Sequence, residues 1–143
     1  MAPRFRVVVG VKAFVRSRGE ILLIRRARLS PEYPGTWDLP GGAVESGETL
    51  EDALKREVRE ETRLSVRIAR PVDAGIVYGW PAGKRSRVKG VGITYLCTLI
   101  RRQAPILSPI EHDRFVWVRP EAALQLRLRQ SLRMAIKAYI ARS

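Results

Sequence analysis

The 143-residue chain holds a single cysteine, a single histidine and only fourteen carboxylates, and no apolar run in it approaches a membrane span. Cys97 alone cannot close an internal disulfide, which excludes the small stapled secreted scaffolds, and its apolar strand context points to the core. Crossing a bilayer takes about 20 apolar residues, so no membrane partner is expected. The start of the chain shows neither a long apolar stretch nor a small-residue cleavage pattern, and a cytoplasmic location is the expectation. Repeats, linkers and low-complexity segments are also lacking, so residues 1–143 read as one domain with one core.

The shortage of acid leaves a net charge of +13, carried by 22 arginines and five lysines. Such a surface attracts anions, whether nucleotide, RNA or membrane. The arginines are spread evenly, which favours general solvation over a dedicated polyanion face. The densest cluster, residues 84–89 (KRSRVK), follows Tyr78-Gly79-Trp80-Pro81. An aromatic and basic loop suits a polyphosphate or a base, and a solvated hairpin tip accounts for it equally.

Residues 5–15 are valine-rich with Gly10 inside, which predicts a buried strand where glycine admits another backbone. Arg18-Gly19 marks a turn into a hairpin partner at residues 20–26, and prolines and glycine make 27–36 a loop. Residues 65–68 and 73–78 read as two short strands broken at Pro71, 90–100 as a longer one, 103–109 as a loop and 114–118 as a last strand. Pro120 opens a helical turn, and Leu132, Ala135, Ile136, Tyr139 and Ile140 line one face of a closing helix. This pattern predicts an α/β fold, a mixed sheet with helices on both faces.

The most unusual stretch is 39–64, LPGGAVESGETLEDALKREVREETRL. Gly41 and Gly42 permit close approach to a ligand or metal, and Thr49 is the expected N-cap, with Glu51 and Asp52 in the first turn. At 100° per residue, Leu50, Ala53, Leu54 and Val58 form a stripe, and Glu57, Glu60 and Glu61 fall largely in the same arc. Lys55, Arg56, Arg59 and Arg63 then project to the opposite side. Carboxylates gathered at a helix C-terminus oppose the macrodipole by roughly 0.3–1 kcal/mol each. A cation at that end would relieve them, and hard oxygens suit Mg2+ or Mn2+. Local pairing such as Arg56 with Glu60 is the alternative, on a solvated face.

Residues 42–64 resemble the signature of the Nudix hydrolases, G-x5-E-x7-R-E-U-x-E-E-x-G-U with U aliphatic. Every specified position matches except Arg63, which stands where the family has glycine in the left-handed position after the helix. The resemblance implies an α/β/α sandwich and hydrolysis of a nucleoside diphosphate linked to another moiety, with Mg2+ or Mn2+. By matching position it makes Glu57 and Glu61 metal ligands, Glu60 a third ligand or the general base, and the Gly41 carbonyl a further ligand. Arg56 would orient those glutamates, with Gly42 close to the substrate. Glu48 would tie the loop to the helix, or equally cap the first turn. The resemblance further makes Glu111 in the late loop a candidate metal ligand or base, with Asp113 as competitor, whereas the lone His112 beside it is expected to be solvated and is assigned no role. The resemblance also implies a phosphate contact from the Arg25-Arg26 pair; strand alternation lets only one of them face the cleft, and Arg26 is the expected one.

The resemblance, extended through LLIRR and W-x-LPGG in a compact chain, leans towards a (deoxy)nucleoside triphosphate cut to monophosphate and pyrophosphate. ADP-ribose and dinucleoside polyphosphates are the alternative substrates. A non-catalytic nucleotide- or RNA-binding module is a second alternative, whose mark would be loss of one of the three helix glutamates; none is lost. Dimerisation stays open.

Overall fold

The computed structural model describes residues 7–78 and 89–142. The valine-rich run forms β1 (Val7–Ser17), and Arg18 and Gly19, both at positive φ, turn it into β2 (Glu20–Arg26). Two short strands follow, β3 (Trp37–Asp38) and β4 (Gly41–Ala43), then α1 (Leu50–Thr62). The chain continues through β5 (Val66–Tyr78), β6 (Lys89–Leu99), β7 (His112–Val118), α2 (Pro120–Ala123) and α3 (Gln130–Ala141). Of the basic cluster at 84–89, all but Lys89 lies outside the described residues, as do Gly79, Trp80 and Pro81 before it.

The sheet runs β3-β2-β1-β6-β5, with β4 also on β1 and β7 also on β2. It is mixed, because β1 and β6 are parallel while the other pairs are antiparallel. Residue alternation then assigns the two faces. Val11, Ala13 and Val15 of β1 and Leu22 and Ile24 of β2 pack with Ala53, Leu54 and Val58 of α1. Phe14, Ile21 and Leu23 pack on the other face with Leu132, Ala135, Ile136 and Tyr139 of α3, the Phe14 and Tyr139 rings stacking at 5.1 Å. Each buried valine, leucine, isoleucine or phenylalanine among them stabilises the fold by roughly 1.5–3 kcal/mol. The sandwich with helices on both faces is thus present, and Cys97 lies in the α1-side core.

Residues 66–78 form one strand, not two broken at Pro71. The register shifts between Ile68 and Arg70 and again between Pro71 and Asp73, so two bulges absorb the proline without ending the pairing to β6. No helix among the described residues is long and apolar enough to cross a membrane.

Two features of the sheet open a cleft. The strands β1 and β2 share only the pairs Arg16–Ile21 and Ser17–Glu20; beyond them β1 takes up β4, and β2 takes up β3 and β7. Gly10, Gly92 and Gly75 also stand in register across β1, β6 and β5, leaving a row of the sheet without side chains.

Candidate active site

Helix α1 delivers its glutamates to this cleft, a cavity of about 800 Å³ lined by Glu57, Glu60, Glu61, Gly41, Gly42, Glu111 and His112 among others. The Thr49 hydroxyl accepts from the Asp52 N–H at 3.1 Å, the expected N-cap. At the other end Arg63 takes φ 61°, the left-handed value, and its N–H donates to the Arg59 carbonyl. The helix therefore keeps the usual terminus and holds arginine in a conformation suited to glycine.

Glu61 is 9% exposed, and its Oε1 accepts from the Gly41 N–H at 2.6 Å. Burial pushes its carboxyl up to about 8, against the pull of Lys12 and that N–H. Burial also raises Glu57, although Arg56 opposes the shift. Glu60 is exposed at the mouth of the cleft, so the three acids do not share one buried arc.

Arg56 corrects the helical projection. It does not point away from the acids: Nε and Nη2 donate to Glu48 at 2.7 and 2.9 Å, Nη1 to Glu57 at 2.9 Å and Glu60 at 3.3 Å, and Nη2 to the Ala43 carbonyl at 3.1 Å. A long side chain curls back around its own helix, which azimuth alone does not capture. Glu48 also accepts from the Glu45 N–H, so it ties loop to helix.

The glycines fit this packing. A Cβ on Gly41 would run into the Val11 carbonyl oxygen, and one on Gly42 would stand 2.6 Å from the Glu57 carboxyl carbon. Backbone must therefore lie where the acids are, with no side chain between.

On the far wall Arg26 faces the cleft, as expected, and its Nη2 donates to Asp38 at 2.8 Å. Arg25 instead turns outward to Asp113 at 2.8 Å, which removes Asp113 from competition with Glu111. The sequence reading missed Lys12 and Asp38. Lys12 Nζ donates to Asp38 Oδ2 at 3.1 Å and to the Leu39 carbonyl at 3.3 Å. Burial raises the Asp38 carboxyl, but Lys12 and Arg26 overcome it and hold the group down at about 2. Lys12 sits in an apolar strand pattern, and the lone charge in that run was the available signal.

His112 is the second correction: it is 5% exposed rather than solvated. Arg25 pairs with Arg114 and Arg26 with His112, so Asp113 bulges out and the histidine turns inward. Burial, and then Arg26, push its imidazole down to about 4.

The donor set fits a divalent ion. Carboxylates of Glu57 and Glu61 are held inward at the cost of raised pKa values, and Glu61, Glu111 and His112 each offer a ligand atom within 4.8 Å of the others.

Inward acids beneath a peptide loop, on a sheet walled by helices, place the molecule among the pyrophosphohydrolases, enzymes of phosphoric anhydride bonds. The NUDIX domain model matches residues 4–139, and the chain belongs to the Nudix hydrolase family. It is 30% identical over 127 residues to the nucleoside triphosphatase NudI of Escherichia fergusonii, covering 85% of this chain and 89% of that one. The crystal structure of MutT protein from Methanosarcina mazei Go1 superposes with a TM-score of 0.82 at 26% identity, covering 99% of this chain and 98% of that one. A MutT NUDIX hydrolase from Burkholderia pseudomallei gives 0.76 at 27% identity, covering 93% and 98%.

Proposed function

We propose that the protein hydrolyses nucleoside triphosphates to the monophosphate and pyrophosphate, with Mg2+ or Mn2+ held by Glu57 and Glu61. The observation that carries this reading is the buried Glu61 carboxyl, bonded to the Gly41 N–H and left without a full counter-ion. Burial disfavours its ionised form, and a cation entering beside it would displace the proton and hold the carboxylate charged. The similarity to enzymes named nucleoside triphosphatases supports the choice of substrate, and a cleft of about 800 Å³ accommodates a nucleotide.

Glu57 and Glu61 would hold the ion, with Glu60 and Glu111 at the mouth as further ligands. The observed hydrogen bond employs the Gly41 N–H, which fixes Glu61; its carbonyl is a further candidate ligand. When bound, the ion neutralises phosphate charge and lowers the pKa of water. The chain's own residues do the rest. Arg56 fixes Glu57 and Glu60 relative to the loop through five hydrogen bonds. Arg26 presents its guanidinium to the phosphates, and the Gly42 backbone lets them approach. Glu60 and Glu111, both exposed in the cleft, are placed to accept the proton of the attacking water.

Pyrophosphate release from a panel of nucleotides, with and without Mg2+, tests the reading. Glu61→Gln should lower turnover by more than about 100-fold, exceeding what loss of an outer-shell partner alone produces. Unchanged turnover in that variant, or wild-type turnover in chelator, would refute the site.

A further inference from the structure

We infer that His112 is a nitrogen ligand in this site, joining Glu61 and Glu111, so that the ion it takes best is a first-row transition cation such as Mn2+ or Co2+ rather than Mg2+. The inference rests on the proposal above that Glu61 holds a divalent ion, and goes beyond it in naming the ligand and the class of metal.

Three observations carry it. His112 is buried at 5% exposure, yet its ring makes no hydrogen bond among the described residues. Nδ1 is fully enclosed without a partner, and Nε2 stands 3.7 Å from Glu61 Oε2, beyond hydrogen-bond reach. Buried polar atoms are nearly always satisfied, so an orphaned imidazole aimed at a buried carboxylate is short of a third party. A ring flip exchanges Nδ1 with Cδ2 and Nε2 with Cε1, so the rotamer that an ion selects decides which nitrogen meets it.

The second observation is that the segment is held in place. The His112 N–H and the Glu111 N–H both donate to the Ser108 carbonyl, at 2.9 and 3.0 Å, and the Glu111 carbonyl accepts from the Ala27 N–H at 2.9 Å. With the bulge at Asp113, these bonds fix the histidine towards the cleft. Third, ligand atoms of Glu61, Glu111 and His112 lie within 4.8 Å of one another. Metal–donor bonds of about 2.0–2.2 Å require only a small closure of that triangle. Imidazole suits the first-row ions from Fe2+ onward, and Mn2+, although it too favours oxygen, gives up water for a nitrogen more readily than Mg2+, which dehydrates reluctantly.

Because His112 is the only histidine in the sequence, electron spin echo modulation gives a clean test. In tag-free, full-length protein loaded with Mn2+, modulation from a directly bound imidazole nitrogen is expected. It should vanish in His112→Gln and persist in Glu111→Gln. His112→Gln should also weaken Mn2+ by about tenfold or more while changing Mg2+ by less, a difference in line with loss of a metal partner. Bound Mn2+ without nitrogen modulation in the wild type overturns the inference, whatever the variants do, and leaves the pyrophosphohydrolase reading standing. Modulation that survives in His112→Gln overturns it as well. Failure of the proposed function would show differently, as turnover indifferent to Glu61 and to metal.

Discussion

Arg63 sits at φ 61°, where an L side chain costs about 1–2 kcal/mol relative to glycine. The strain is kept because the helix must stop there: the Arg63 N–H bonds Arg59, its carbonyl accepts from Gln103 Nε2, and Leu64 returns to the core. Arg63→Gly should therefore stabilise the protein by about 1 kcal/mol, after the glycine's greater unfolded freedom is counted, and leave the acids in place. Urea denaturation measures it, and a loss of stability would contradict the strain. Gly42 shows the reverse case. Its added Cβ would meet all three atoms of the Glu57 carboxylate at 2.6–2.7 Å, so Gly42→Ala should fold yet displace that ligand. Weaker Mn2+ binding in calorimetry, with turnover down by about tenfold or more, is the expected result.

At the level of elements, the cleft exists because side chains are missing from one row of the sheet. Gly10, Gly92 and Gly75 line up across three strands, and the next row on the same face, Lys12, Thr94 and Asp73, carries the polar groups. A Cβ on Gly75 meets nothing within 4 Å. Gly75→Leu should accordingly fold but fill part of the cleft floor, raising KM for nucleotide by about tenfold while kcat changes less. Equal kinetics in the variant would place the substrate elsewhere. Arg56 acts between elements in the same way, as the clasp that joins the Glu48 loop, β4 and α1.

For the molecule as a whole, the buried groups set how stability responds to pH. Glu61 titrates at about 8 when folded against 4.5 ordinarily, so between those values the folded chain holds a proton that the unfolded chain has lost, and stability falls as pH rises. His112, at about 4 against 6.5, has the opposite sign: there the unfolded chain holds the extra proton, and stability rises with pH. The two oppose one another up to about pH 6.5, and above it the fall due to Glu61 is unopposed by the histidine, while Glu57, also raised by burial, acts in the same direction as Glu61. Asp38, at about 2, matters only in strong acid. The unfolding free energy of metal-free protein should decline between about pH 6.5 and 8 with a limiting slope of about 1.4 kcal/mol per pH unit, its Tm should fall with it, and saturating Mn2+ should flatten the decline. A flat or rising Tm in chelator across that window would contradict an uncompensated Glu61.

The sequence by itself determined what depends on neighbours along the chain. The α1 cap at Thr49, the β1–β2 turn, the apolar face of α3 and the motif at 42–64 are local patterns of phase and spacing, and each appears where those patterns place it. Which of Arg25 and Arg26 enters the cleft was legible too, because alternation along a strand is also local. Only the tertiary structure decided that Arg56 curls towards the acids, that Pro71 bulges without breaking β5, and that three distant glycines form one row. It likewise turned His112 inward and set Lys12 and Asp38 opposite Glu61. The physical reason is that cross-strand register and bulges are chosen by packing between segments far apart in the chain, and a shift of one residue reverses which face a side chain occupies.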